Sequence, residues 1–113
     1  MIVAEIDGKI VGNAIMGAVS HKLKTNHRCS FNIAIEKEYW GIGLGKNMLE
    51  ILLKLAEKAE YVWVELEVMS QNERAIELYK SVGFSIQGKK VDAIRNVDGS
   101  SDDIILMCKK LVV

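Results

Sequence analysis

Residues 39–49 read YWGIGLGKNML, with glycines at 41, 43 and 45, a lysine at 46, and an apolar helical pattern beginning at once. Leu44, Met48, Leu52, Leu55 and Ala59 recur at spacings of three and four, and Leu49 and Ala56 widen the stripe. Counted from Gly43 to Ala59, this predicts a helix roughly 25 Å long. Glycine lets a chain bend sharply and come close to a ligand. The unpaired amides at a helix start, with the helix dipole behind them, favour an anion there, and Lys46 adds charge. The competing reading is a tight strand-to-helix turn that holds nothing. Spacing removes two nucleotide motifs. A Walker loop needs glycine where Trp40 stands and serine or threonine where Asn47 stands. A dinucleotide fingerprint fits Gly41 and Gly43 but meets Lys46 at its third position, and the strand after the helix lacks a suitably placed acid. A pyrophosphate fits such a nest of amides, and the turn that holds nothing stays open beside it.

Outward from the turn, Arg28 to Ile35 reads as a strand with Cys29, Phe31, Ile33 and Ile35 on one face. YVWVELEV follows the helix as a second strand, with Val62, Val64, Leu66 and Val68 on one face and Tyr61, Trp63, Glu65 and Glu67 on the other. A strand–helix–strand unit over residues 28–68 implies one parallel crossover. Upstream, Ile2 to Ile6 and Lys9 to Val19 form strands around the hairpin signal Asp7-Gly8. Downstream, Asn72 starts a short helix with Ala75, Ile76, Tyr79 and Val82 along one side, and Gly83 stops it. A strand from Phe84 to Val91, a turn RNVDGSSDD and a last strand IILMCKKLVV complete the chain. The expected class is α/β (α+β): a mixed, mostly antiparallel sheet with one parallel crossover, in one domain over residues 1–113.

Composition narrows the function. The chain has 113 residues, half of them hydrophobic, with 15 basic against 15 acidic side chains. That balance argues against a dedicated nucleic-acid binder. No apolar run reaches the length of a membrane span, and the alternating, acid-bearing N-terminus is no signal peptide. Cys29 and Cys108 are far apart without metal-type spacing, so they read as reduced, partly buried small residues, and a cytoplasmic setting fits. SHKLKTNHR reads as a solvated hairpin tip, in which neither His21 nor His27 has a nearby ligand partner. The acids of RNVDGSSDD fail the EF-hand spacing and read as a solvated turn. No metal site is expected.

Two stretches together resemble a known family. FNIAIEKEYWGIGLGKNMLEILL is similar to the acyl-CoA-binding motif of the GNAT superfamily of N-acetyltransferases. LEVMSQNERAIELYKSVGF resembles the second half of that pattern, in which an Asn, an Ala, a Tyr and a Gly-Phe recur at these spacings. The likeness covers residues 31–84, and the flanking strands, including Gly12 and the final DDIILMCKKL, fit it. Within the superfamily it is nearest to the bacterial ribosomal-protein alanine N-acetyltransferases, through FNIA, LEV, and the Asn and Tyr that follow. Two features depart from the family. Trp40 stands where Arg or Gln is favoured, and the chain starts at what looks like the relatives' second strand, without the preceding strand and two helices that form one wall of the acceptor site.

The resemblance implies acetyl-CoA as acetyl donor and an amine, of a peptide or a small molecule, as acceptor. The pyrophosphate would sit on the turn Gly41, Ile42, Gly43, Leu44, Gly45 and Lys46. The pantetheine arm would bond to the backbone of Ile33, Ala34 and Ile35. Asn72 would touch the cofactor, and Tyr79 would face its sulfur and serve as general acid. Glu67, at the end of its strand on the face opposite Val68, is the expected general base, with Glu65 as rival. A backbone amide near Ile35 would stabilise the oxyanion. An unprotected first strand would favour a homodimer. The alternative to an enzyme is a shortened module that binds CoA or a protein without turnover.

Overall fold

The computed structural model describes residues 2–18, 27–41 and 43–111. Its elements come in the order β1 (Ile2–Ile6), β2 (Lys9–Ala18), β3 (Arg28–Ile35), α1 (Leu44–Lys58), β4 (Trp63–Met69), α2 (Glu73–Ser81), β5 (Ser85–Arg95) and β6 (Ser101–Lys110). A single 3-10 turn at Lys37–Tyr39 links β3 to the glycine turn. The strands hydrogen-bond in the order β1-β2-β3-β4-β6-β5, so β1 and β5 are the two edges. The sheet is mixed, with one parallel pair, and the crossover through α1 supplies it. Most of the polar hairpin tip, His21 included, lies outside the described residues. Two compact units divide the chain: residues 1–64 with 110–113, and residues 65–109.

In the first unit, Asp7 and Gly8 both take positive φ, 51° and 79°, which is the geometry that lets a two-residue turn follow the twist of its strands. The β1–β2 register then slips: Glu5 faces Ile10 and Ala4 faces Gly12, so Val11 bulges and turns its buried side chain inward. Gly12 has a further constraint. It pairs with Ile35 across β3, and a Cβ at that position would lie 3.0 Å from the Ala34 carbonyl oxygen and 3.2 Å from Ile35 Cγ1. Helix α1 packs onto β1, β2 and β3. Met48, Leu49, Leu52 and Ala56 are its buried residues, each large aliphatic contributing roughly 1.5–3 kcal/mol. Leu55, expected in the stripe, lies on the flank of that arc and is 40% exposed.

The helix ends without glycine. Glu60 takes φ 65°. Its N–H donates to the Glu57 carbonyl at 3.0 Å, and the Tyr61 N–H donates to the Ala56 carbonyl at 3.1 Å. That pair of bonds satisfies two of the last carbonyls of the helix in the Schellman pattern.

In the second unit, Leu66 and Val68 of β4, Ile76 and Tyr79 of α2, Phe84, and Met107 and Cys108 of β6 are buried. Cys29 and Cys108 are both buried and neither is in a disulfide. The β5–β6 hairpin is longer than its sequence suggests, since β5 runs on to Arg95 and β6 starts at Ser101. The register breaks between Lys90 and Ile94. At that break the Asp103 carboxylate accepts the Asp92 N–H at 2.7 Å, which holds Asp92 at φ 58°. The turn expected to reach Asp103 is therefore shorter, and Asp102 is no solvated acid: it is buried, accepting the side-chain amides of Gln71 and Asn96. Buried carboxylates persist only with such partners.

Candidate functional site

The first unit holds the glycine turn and the end of β3. Gly41 and Gly43 take φ 84° and 86°, a conformation that side-chain-bearing residues rarely adopt. Gly43 is the N-cap of α1, no side chain caps the helix start, and no acid occupies its first turn. The first ladder bond, from the Asn47 N–H, returns to the Gly43 carbonyl at 3.0 Å. The amides ahead of Asn47 have no acceptor within the helix. They sit beside the exposed Lys46, with Gly41 and Gly43 offering no side chain to cover them. Leu44 begins the helix and Gly45 lies in its first turn; Ile42 lies outside the described residues.

Ile33, Ala34 and Ile35 pair with Ala14, Asn13 and Gly12 of β2. Ile33 and Ile35 are half-buried and Ala34 is exposed, as alternation requires. Trp40 was expected only as a departure in sequence. Its indole N–H donates to the Ile35 carbonyl at 2.9 Å and ties the approach to the glycine turn back onto β3. The Glu36 N–H donates to the Val11 carbonyl at 2.8 Å, and the Glu36 carboxylate is 3.2 Å from the Lys9 ammonium. The Trp40 and Glu36 hydrogen bonds thus fix the path from β3 to the turn at two points, neither of them evident from periodicity, while the exposed Lys9–Glu36 pair adds little.

The second unit holds Glu67, Asn72 and Tyr79. Glu67 is exposed between the buried Leu66 and Val68, on the face that alternation assigns to it together with Glu65. Its carboxylate is 3.1 Å from Lys90 Nζ. The strand pattern could place Glu67 but could not show that partner. Asn72 is the N-cap of α2, its side-chain oxygen accepting the Ala75 N–H at 3.2 Å. This gives the residue a structural reason to be present, whatever else it touches.

Tyr79 is buried, its ring 5.9 Å from that of Phe84 and tilted by 58°. Burial pushes its pKa above the ordinary phenol value, because the phenolate would lose water without gaining a counter-charge. The hydroxyl therefore stays protonated throughout the neutral range and can only donate a proton there. Among the described residues no group of three His, Cys, Asp or Glu could hold a metal ion, and no helix is long and apolar enough to cross a membrane.

Comparison with known proteins meets this geometry. Residues 1–84 match the Acetyltransferase (GNAT) family. The ribosomal protein bS18-alanine N-acetyltransferase of Escherichia coli K12 is 38% identical over 76 residues, covering 67% of this chain and 51% of that protein. The spermidine N(1)-acetyltransferase of the same organism is 28% identical over 107 residues, covering 94% of this chain and 55% of the other. The crystal structure of an acetyltransferase of the GNAT family from Streptococcus pneumoniae superposes with a TM-score of 0.89 at 30% identity, covering 96% of this chain and 65% of that one. The chain thus spans about half the length of the two enzymes compared by sequence.

Proposed function

The chain belongs to the GNAT acetyltransferase family, and on that footing we propose that it is an acetyl-CoA-dependent N-acetyltransferase, acting in the cytoplasm on a primary amine by direct attack on the thioester. The observation that carries the reading is the open start of α1: two positive-φ glycines, no capping side chain, no first-turn acid and Lys46 alongside. Such an end accepts the pyrophosphate of CoA. The backbone of Ile33, Ala34 and Ile35 would hold the pantetheine arm, with Asn72 as a further contact. Acetyl-CoA supplies an acetyl group already activated as a thioester. The chain's own groups do the rest. The exposed Glu67 carboxylate takes a proton from the acceptor amine, directly or through a water. A backbone amide near Ile35 faces the developing oxyanion. Tyr79, kept protonated by burial, gives its proton to the departing thiolate. No step needs a covalent enzyme intermediate or a metal.

The amines named for two relatives, an alanine of ribosomal protein bS18 and spermidine, are the acceptors to try first. Calorimetry with CoA and a thiol-release assay against an N-terminal alanine peptide and spermidine test the proposal. Tyr79→Phe and Glu67→Gln should each slow release by roughly a hundred- to ten-thousand-fold while CoA binding persists. Full rate in both variants would remove the assigned roles. CoA binding without release on any amine would leave a CoA-binding module, and no CoA binding would end the proposal.

A further inference from the structure

The Lys90 ammonium lies 3.1 Å from Glu67 Oε1, within the reach a general base needs for the proton it removes. We propose that Lys90 is an acceptor within the chain itself, a self-acetylation site that uses the base assigned to external amines; the proposal rests on the function given above. Three observations carry it. Lys90 is a primary amine already placed on that carboxylate. Both side chains are open to solvent, 66% and 49% exposed, so the pair is screened and weak, and the ammonium is not locked in place. Finally, Lys90 is the last residue of β5 paired in register with β6 before the break that ends at Ile94.

The step balances. Glu67 removes one proton from the Lys90 ammonium, and the freed amine attacks the thioester carbonyl. The N–C bond forms as the C–S bond breaks. The thiolate takes the Tyr79 proton, and the nitrogen sheds its second proton to water as the amide forms. The product has lost its positive charge, so the ion pair with Glu67 ends with the reaction.

Lys89 provides an internal comparison. It neighbours Lys90 in sequence but points to the other face of β5, where it pairs with Asp103 at 3.1 Å, a carboxylate assigned no part in transfer. The experiment incubates the full chain with acetyl-CoA and follows acetylation at each lysine by peptide mass spectrometry, at two protein concentrations, with calorimetry on CoA in parallel. Lys90 should be acetylated on the order of a hundredfold faster than Lys89, the lower range of general-base assistance, at a rate independent of protein concentration. Glu67→Gln should bring the two lysines to equal rates. Lys90→Arg should bind CoA and show no gain at Lys89. CoA bound with Lys90 no faster than Lys89, or with Lys90 equally fast in Glu67→Gln, overturns self-acetylation and leaves the proposed function standing. No CoA binding overturns both.

Discussion

Gly12→Ala adds one methyl group where the first unit has no room for it. The new Cβ would stand 3.0 Å from the Ala34 carbonyl oxygen and 3.2 Å from Ile35 Cγ1. Ile35 Cγ1 can shift by rotation. The carbonyl belongs to the β2–β3 ladder, where Asn13 faces Ala34 and Gly12 faces Ile35, so it moves only if the strands part. Overpacking of this kind costs about 1–3 kcal/mol. In a domain of this size each kcal/mol lowers Tm by roughly 4 °C or more, which gives a fall of about 4–15 °C. Gly17 lies in the same strand, and a Cβ there meets nothing within 4 Å. Gly17→Ala should therefore raise stability, by about 0.4–1 kcal/mol, through the loss of unfolded-chain freedom. Opposite signs from one chemical change in one strand isolate the steric term. Because Ala34 and Ile35 are the residues displaced, Gly12→Ala should also weaken CoA binding severalfold, and Gly17→Ala should not. Calorimetric melting and CoA titration of both variants read these outcomes. A Gly12→Ala protein that melts with or above the parent refutes the packing argument. One that melts lower yet binds CoA equally well refutes the assignment of residues 33–35 to the cofactor.

Three further outcomes follow from local geometry. Glu60→Gly should raise stability by up to about 1 kcal/mol, since glycine adopts the φ of 65° freely; a lower Tm would contradict the strain assigned there. Lys46→Glu should stabilise the start of α1 by about 0.3–1 kcal/mol while weakening CoA binding on the order of tenfold by replacing attraction with repulsion; tighter binding would refute the pyrophosphate assignment. The Asp103 carboxyl is held below its ordinary pKa, first by the Asp92 N–H and then by Lys89. Its ionised form is the one the fold prefers, so its stabilisation is present above about pH 4 and is lost as pH falls through the lowered value. Asp103→Asn should flatten the decline in Tm on acidification, and an unchanged decline would remove this assignment.

Much of this arrangement was legible in the sequence because it is local. Helix α1 follows from a stripe at spacings of three and four, α2 from an N-capping Asn72 and a stopping Gly83, and the face of Glu67 from strict alternation with Leu66 and Val68. The unreadable parts depend on residues distant in sequence. Asp103 holds Asp92 in its bulge from the opposite strand, so the hairpin runs past the point where its composition suggests a turn. Asp102 looks like a turn acid until Gln71 and Asn96 are brought to it. Lys90 is one exposed lysine among many until the fold sets it on Glu67. Glu60 bears no mark of a helix end, because the Schellman bonds that stop α1 are made by the backbone and can tolerate a residue other than glycine.

The Trp40 indole hydrogen bond to Ile35 has a practical consequence. One ring adjoins the glycine turn in sequence and is anchored to the strand assigned to the pantetheine arm, and it is still 43% exposed. Its emission colour depends on how much water it sees. The other tryptophan, Trp63, is partly covered and lies under the Arg28 guanidinium at 5.4 Å. The chain thus carries an intrinsic optical probe at the place where its ligand is expected, next to a second, better-shielded chromophore that can serve as its reference.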